Sequence, residues 1–274
     1  MTSSPHITFI GAGNMASAII GGLIKDGITA KNITAAARSQ ATLDRVASTF
    51  SIQTSSNNRD SISQADIVVL AVKPQQMQGV CDEIKDIIKV QQPLIISVAA
   101  GLTSGMFQQW LGHDICLVRC MPNTPSVVNA GASGLYATEQ VSSDQKNSVE
   151  KLLSTIGIAE WVDDEALLDA VTAVSGSGPA YFFLMMESMI DAGEKLGLSR
   201  ETAEKLCLQT ALGAAKMAIA SDEGVAELRR KVTSPNGTTE AAINSFENNG
   251  LRDLVDAALQ AADTRSKTLA KEMR

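Results

Sequence analysis

The chain has 274 residues, of which 45% are apolar, so it is long enough for one large or two ordinary domains and is not a disordered or low-complexity protein. The net charge of −7 and the pI near 5.0 exclude a strongly basic nucleic-acid-binding surface, so nucleic acid is not an expected partner. The N-terminus lacks the basic and apolar regions of a leader peptide, and no apolar run reaches about 18 residues. We therefore expect no membrane association and a cytoplasmic location.

The N-terminal stretch contains a short apolar run, residues 7–10, followed by a glycine-rich turn and a helical pattern. The turn has the form GxGxxA, with Gly11, Gly13 and Ala16 at the three small positions. In such a turn the first glycine permits the tight bend and the second lets backbone N–H groups approach a pyrophosphate. The small third residue brings the helix close to the strand. The motif therefore predicts a dinucleotide-binding strand–turn–helix unit, and its alternative is a glycine-rich turn without a ligand.

The second predicted strand, residues 33–37, ends in Arg38 and Ser39, where dinucleotide-binding folds often have an acidic residue that holds the adenosine ribose. An arginine and a serine at this place favour a 2′-phosphate, and so NADP over NAD. A solvent-exposed arginine without that role remains the alternative. Asn58 follows a third short strand and is placed on the adenine side of the same site.

Three longer apolar runs, residues 65–72, 94–101 and 115–120, predict strands of a parallel sheet that is buried on both faces. Each run ends in small or rigid residues, namely Lys73-Pro74, Ala99-Ala100 and the MPNTP segment at 121–125. Strands and helices alternate from residue 6 to about 160, which predicts a doubly wound sheet that binds ligands at the carboxyl ends of its strands. The four cysteines are expected to be buried structural thiols, and no metal site is predicted.

The pattern changes near residue 162, beyond which every predicted element is a helix. We therefore predict a Rossmann-type nucleotide-binding domain over residues 1–162 and an all-helical domain over residues 163–274. The predicted helices cover residues 165–174, 179–197, 200–220, 224–231, 238–249 and 251–272. The helix from 179 is apolar on every face, so it is covered either by a partner subunit or within its own chain.

Two loops of the helical region have unusual sequences. In SGSGPAY, residues 175–181, Ser177 and Pro179 fit a helix start, while two glycines in three residues indicate a close backbone approach. In the segment 232–240, hydroxyls and backbone N–H groups gather at a helix N-terminus, which suits a carboxylate. An ordinary helix cap is the alternative for this second loop.

Together these motifs resemble pyrroline-5-carboxylate reductase. The resemblance rests on GAGNMA near the N-terminus, AVKP at 71–74, AAG at 99–101, MPNTP at 121–125, SGSGPAY at 175–181 and SPNGTT at 234–239, and it spans essentially the whole chain. One departure is Asn236, which replaces the first of the two glycines that usually follow the proline. Asparagine tolerates positive φ better than other non-glycine residues, so the turn is expected to survive.

The resemblance implies an oxidoreductase that reduces a cyclic imine acid, 1-pyrroline-5-carboxylate, to L-proline with NADPH, or with NADH, in the final step of proline biosynthesis. It also implies dimers formed through the helical domain, which often assemble into decamers. The implied substrate-binding residues are Glu165, Ser234, Thr238 and Thr239, with Thr239 as the catalytic residue. The implied cofactor-binding residues are Ile10, Gly11, Ala12, Gly13, Asn14, Met15, Ala37, Arg38, Ser39, Asn58, Ala71, Val72, Lys73, Pro74, Val98, Ala99, Ala100 and Asn123.

The histidine content bears on the reaction, because the two histidines, His6 and His113, lie outside every candidate loop. Reduction of a ketone usually requires a positioned proton donor, whereas an imine can arrive already protonated, so this composition favours an imine. The alternatives are an enzyme similar to the β-hydroxyacid dehydrogenases, another imine-reducing NADP oxidoreductase, and a non-catalytic NADP-binding sensor. The first of these requires a lysine early in the second domain, where Phe182 and Phe183 stand.

Overall fold

The structure, a computed structural model, describes residues 5–273. Its contacts divide the chain into two compact units. The first unit extends to Ser177 and takes up the chain again from Ala262, and the second unit is Gly178–Ala261. The predicted domain boundary, after residue 162, lies just beyond the last strand of the sheet. The division of functions between residues 1–162 and residues 163–274 stays a prediction.

The first unit is built on one eight-stranded sheet. Its strands are β1 (Ile7–Ile10), β2 (Ile33–Ala36), β3 (Gln53–Ser55), β4 (Ile67–Leu70), β5 (Leu94–Ser97), β6 (Leu117–Met121), β7 (Gly131–Ala137) and β8 (Gly157–Trp161). Their order is β3-β2-β1-β4-β5-β6-β7-β8, and the six strands β1 to β6 are parallel. The predicted parallel sheet is therefore confirmed. The sequence did not reveal that β7 pairs antiparallel with β6 and that β8 runs parallel to β7.

Helices cover both faces of this sheet. They are α1 (Asn14–Lys25), α2 (Gln40–Phe50), α3 (Asn58–Ser61), α4 (Pro74–Gln91), α5 (Ser104–Leu111), α6 (Ser143–Ser154) and α7 (Leu167–Val171). Alternate residues of the strands belong to two buried clusters. One cluster contains Phe9 together with residues of α1, α2 and α6, and the other contains Leu70 together with residues of α4 and α5. This two-sided burial explains why the central strands are continuously apolar. The predicted doubly wound architecture is confirmed.

The second unit is entirely helical in its regular structure and has little core of its own. Its helices are α8 (Gly178–Lys195), α9 (Arg200–Ala220), α10 (Val225–Lys231), α11 (Thr238–Asn248) and the first half of α12 (Leu251–Glu272). The buried cluster of this unit consists of Ile190, Ala203 and Cys207. By contrast, Phe182 and Phe183 on α8 are 68% and 64% exposed. The alternative of an α8 that is covered within its own chain is therefore wrong for these side chains.

None of the helices in residues 5–273 is both long enough and apolar enough to cross a membrane.

Candidate functional site

The glycine-rich turn after β1 leaves the start of α1 open to an anion. Gly11 has a φ of +99°, and a Cβ there would lie 2.6 Å from the Ala71 carbonyl oxygen, so a side chain is excluded. Gly13 is the N-cap of α1, and no described side chain caps this helix or places an acid in its first turn. A Cβ on Gly13 would meet no described atom within 4 Å. The first N–H groups of α1 therefore face open space in which a phosphate fits.

A cavity of about 560 Å³ adjoins this turn at the carboxyl ends of β1, β2 and β4. Of the predicted cofactor residues, eleven line it: Ile10, Gly11, Ala12, Gly13, Ala37, Arg38, Ser39, Asn58, Ala71, Val72 and Lys73. This is the edge at which doubly wound sheets bind nucleotides. The remaining predicted cofactor residues, Asn14, Met15, Pro74, Val98, Ala99, Ala100 and Asn123, are not part of this lining.

The cavity also has walls that the sequence analysis missed. Ala36, Thr42, Arg45, Gln76 and Val80 line it together with the predicted residues. Thr42 and Arg45 stand on one face of α2, three and six residues after Ser39, and Gln76 and Val80 belong to α4. A search through the first two turns of the helices that follow Ser39 and Lys73 would have found these four helical residues, whereas Ala36 is the last residue of β2.

The charges around this cavity suit an anionic cofactor. Arg38, Arg45 and Lys73 line it, and none of its described lining residues is acidic. Arg45 Nη2 donates to the carbonyl oxygen of Ala12 at 2.7 Å, so this arginine supports the glycine-rich turn. Arg38 and Ser39 are exposed, and Arg38 forms no ion pair with any described carboxylate. Its guanidinium is therefore available for a 2′-phosphate.

Asn58, the adenine-side prediction, starts α3 and lies at the cavity wall. Its Nδ2 donates to Glu83 Oε2 at 2.8 Å, which fixes the amide group on that wall. The preceding Asn57 accepts hydrogen bonds from the backbone N–H groups of Arg59 and Asp60 and caps the helix. The turn is thus held by its own side chains.

Glu165 is tied to two other elements of the first unit. Its Oε1 accepts hydrogen bonds from the Ser104 backbone N–H at 2.6 Å and from Arg119 Nη1 at 2.8 Å. Its Oε2 accepts the Ser104 hydroxyl at 2.7 Å. Ser104 begins α5 and Arg119 lies on β6, opposite Tyr136 of β7. Burial and then the charge of Glu165 raise the pKa of Tyr136 above its ordinary value.

Asn123 is an internal anchor. Its Nδ2 donates to the Ser175 carbonyl oxygen at 3.0 Å, and its Oδ1 accepts the Ala132 N–H at 2.9 Å. The side chain thereby joins the MPNTP loop to β7 and to the π-helical turn Thr172–Gly176, which follows α7. The amide group is buried and used within the chain.

The SGSG segment has a partial explanation in packing. A Cβ on Gly176 would lie 2.6 Å from the Met121 Cε, so this glycine marks a close approach. A Cβ on Gly178 would meet no described atom within 4 Å. Ser177 has φ −89° and ψ −18°, and its N–H bonds to the Thr172 carbonyl oxygen at 2.8 Å. The chain therefore enters α8 from the π-helical turn without the extended residue of an ordinary N-cap, and the prediction that Ser177 caps the helix is wrong.

The hydroxyl-rich loop of the second unit ends at α11. Gly237 is the N-cap of α11, and no described side chain caps this helix. Asn236 has a φ of +58°, and its N–H donates to Glu240 Oε2 at 2.7 Å. Ser234, Thr238 and Thr239 are exposed around this helix start. Backbone N–H groups and three hydroxyls thus surround one helix N-terminus, which is a suitable place for a carboxylate.

Comparison with known proteins places the whole chain. A curated pyrroline-5-carboxylate reductase from Pseudomonas aeruginosa is 55% identical over 99% of both chains. The chain belongs to the pyrroline-5-carboxylate reductase family. A family model described as pyrroline-5-carboxylate reductase dimerisation matches residues 165–269, and one described as NADP oxidoreductase, coenzyme F420-dependent, matches residues 6–101.

Solved structures of pyrroline-5-carboxylate reductases share the fold over nearly the full length. The Coxiella burnetii structure is 48% identical, has a TM-score of 0.95 and is matched over 97% of this chain and 99% of that one. The Plasmodium falciparum structure, which has NADP bound, is 33% identical with a TM-score of 0.84 and is matched over 97% and 98% of the two chains. The predicted family and fold class are confirmed.

No cysteine of this reductase-family chain lines the cavity beside the glycine-rich turn. Burial raises the pKa of both Cys81 and Cys120 from 9.0 to about 12, so neither forms a thiolate near neutral pH. All four cysteines are free, and among the described residues no cluster of ligands suits a metal ion. Neither histidine lines the cavity beside the glycine-rich turn.

Proposed function

We propose that the chain reduces 1-pyrroline-5-carboxylate to L-proline with NADPH, the final step of proline biosynthesis. The observation that carries the proposal is the full-length match to curated reductases of that name in a chain that has the glycine-rich turn, the basic cavity and the hydroxyl-rich loop. The cavity has the open helix N-terminus and the unpaired Arg38 that the pyrophosphate and the 2′-phosphate of NADPH need.

The reaction requires mainly that the substrate be held in the correct orientation. When bound, the cofactor supplies a hydride, which adds to the imine carbon while the proton already on the nitrogen stays there, so the product is a secondary amine. The N–H groups at the start of α11, with Ser234 and Thr238, hold the substrate carboxylate. The hydroxyl of Thr239 accepts a hydrogen bond from the protonated imine nitrogen. A threonine hydroxyl is far too weak an acid to be the proton source at neutral pH, so its role is to orient the ring.

The test is the loss of NADPH absorbance on addition of 1-pyrroline-5-carboxylate, with proline identified as the product. Parallel reactions use a β-hydroxy acid with NADP and a different cyclic imine. Turnover of the carboxylated imine alone supports the proposal. Turnover of the hydroxy acid would replace it with a dehydrogenase, and NADPH binding without any turnover would replace it with a sensor.

We further propose a dimer formed through the helical domain, with decamers as the larger assembly. The exposed side chains of α8 support this, because Phe182, Phe183 and Leu184 are each more than 60% exposed in the single chain. The name of the matching dimerisation family model supports it as well. Light scattering on diluted protein tests the proposal, and a stable, active monomer would contradict it.

We also propose that residues 1–162 bind the cofactor, that residues 163–274 carry assembly and substrate binding, and that the enzyme works in the cytoplasm. The last strand, β8, ends at Trp161, which supports the first division. The four free cysteines suit a reducing compartment. Expression of residues 1–162 alone, followed by an NADPH-binding assay, tests the division, and cell fractionation tests the location.

A further inference from the structure

The carboxylate of Glu165 connects three elements that are distant in sequence. Glu165 precedes α7, Ser104 begins α5 and Arg119 belongs to β6, and the carboxylate joins them through three hydrogen bonds of 2.6 to 2.8 Å. The side chains of Arg119 and Glu165 are 13% and 23% exposed, so the ion pair is largely shielded from water. Shielded, charge-assisted bonds of this kind are stronger than those on an open surface.

This carboxylate replaces the missing cap of α5. The N-cap residue of the helix, Thr103, makes no capping hydrogen bond with its side chain to any described partner. Instead, Glu165 accepts the Ser104 N–H from 61 residues away and places a negative charge at the positive end of the helix. The segment 98–103 links β5 to α5 and contains Gly101 at a φ of +77°. Glu165 therefore fixes the C-terminal end of this segment, where α5 begins.

The position of this segment in the sheet indicates which part of the cofactor it meets. The cavity around Arg38 lies at the ends of β2, β1 and β4, and β5 is the next strand beyond β4. A dinucleotide in such a sheet lies across the carboxyl edge, with one half on each side of the switch point between β1 and β4. Arg38 belongs to the adenosine side, so the nicotinamide half extends toward the segment after β5.

We infer that Glu165 is a positioning residue, which acts through Ser104 to fix the segment 98–103 against the nicotinamide half of the cofactor. Three of the four lone-pair positions of its carboxylate already accept hydrogen bonds from Ser104 and Arg119. This role replaces the substrate contact that the family resemblance implied for Glu165. The inference rests on the proposed function only in taking NADPH as the cofactor.

The decisive experiment compares two ligands in binding assays that need no turnover. Glu165→Gln keeps the shape of the side chain but removes its charge, and Glu150→Gln on α6 is the matched control. NADPH contains the nicotinamide half, whereas adenosine 2′,5′-bisphosphate contains only the half on the Arg38 side. We expect Glu165→Gln to weaken NADPH binding about five- to tenfold and to leave the bisphosphate affinity unchanged. The control variant should change neither affinity.

Ser104→Ala, a milder change, removes the hydroxyl bond and keeps the backbone one, so it provides a second test if Glu165→Gln folds poorly. It should weaken NADPH binding in the same direction, and the double variant should lose less than the sum of the two, because both act through one contact. A selective rise in the KM for 1-pyrroline-5-carboxylate, with NADPH affinity unchanged, would restore the substrate contact and overturn the inference. Equal weakening of both nucleotides would also overturn it, since that indicates general damage to the domain. If the wild-type chain fails to reduce the imine, the proposed function fails, while the two-ligand comparison still decides the role of Glu165.

Discussion

Replacement of Thr239 separates a substrate-binding role from a role in helix capping. Thr239 is the second residue of α11, and the N-cap position belongs to Gly237. The hydroxyl of Thr239 is exposed and makes no capping bond to the described backbone. The structure thus gives Thr239→Ala no folded-state hydrogen bond to lose.

The expected magnitudes follow from this geometry. Alanine has a higher helix propensity than threonine by up to about 0.7 kcal/mol, so Thr239→Ala should leave the melting temperature unchanged or raise it slightly. Loss of a hydrogen bond to the imine nitrogen should cost roughly 1–3 kcal/mol in transition-state binding. That cost corresponds to a fall in kcat/KM of about fivefold to 150-fold.

The assay combines steady-state rates with 1-pyrroline-5-carboxylate, NADPH affinity and a melting curve for Thr239→Ala, Thr239→Val and Thr239→Ser. The serine variant keeps the hydroxyl and should retain most of the activity. The alanine and valine variants should show the expected fall in kcat/KM, while their affinity for NADPH stays unchanged. A Thr239→Ala protein that melts early and turns over normally would refute the reasoning, because it would show a structural hydroxyl.

Three further predictions concern the cofactor, a buried hydroxyl and the thiols. Arg38→Ala should raise the KM for NADPH about tenfold and change that for NADH little, and equal effects in steady-state kinetics would contradict a 2′-phosphate contact. The Ser126 hydroxyl is buried without a hydrogen-bond partner among residues 5–273, so Ser126→Ala should leave the free energy of unfolding unchanged or raise it by about 1 kcal/mol in denaturant titrations. A clear loss of stability would show that this hydroxyl has a partner. Since burial raises the pKa of Cys81 and Cys120 from 9.0 to about 12, the folded chain keeps protons that the unfolded chain releases above pH 9. Stability should therefore fall by roughly 1.4 kcal/mol per thiol between pH 8 and pH 10, and Cys81→Ala should flatten that slope.

The sequence predicted the strands in which every residue is buried. Strands β1, β4 and β5 are buried at every position, so each appears as an unbroken apolar run. Strand β7 has the sequence GASGLYA and β8 exposes alternate residues, so neither shows such a run. The direction of β7 depends on its antiparallel pairing with β6, and that of β8 on its parallel pairing with β7, rather than on a local pattern.

The site was predictable where function requires a local motif. The glycine-rich turn and Arg38 are such cases, because a tight turn and a strand end have positions that can be counted along the chain. The contact of Arg45 with Ala12 crosses 33 residues, so no local motif shows it. The bonds of Asn123 to Ser175 and of Glu165 to Ser104 span 52 and 61 residues and are equally invisible to a local pattern. Motif matching therefore marked Asn123 and Glu165 as functional residues without revealing their hydrogen-bond partners.

The small core of Gly178–Ala261 has a consequence for how this part of the chain folds. With Ile190, Ala203 and Cys207 as its buried cluster, the unit gains little free energy from burying its own side chains. If the exposed face of α8 is covered by a second copy, folding and association become a single event. Refolding should then become faster at higher protein concentration, and the melting temperature should rise with it. Outward-facing residues such as Phe182 would tolerate substitution no better than the interior of an ordinary domain.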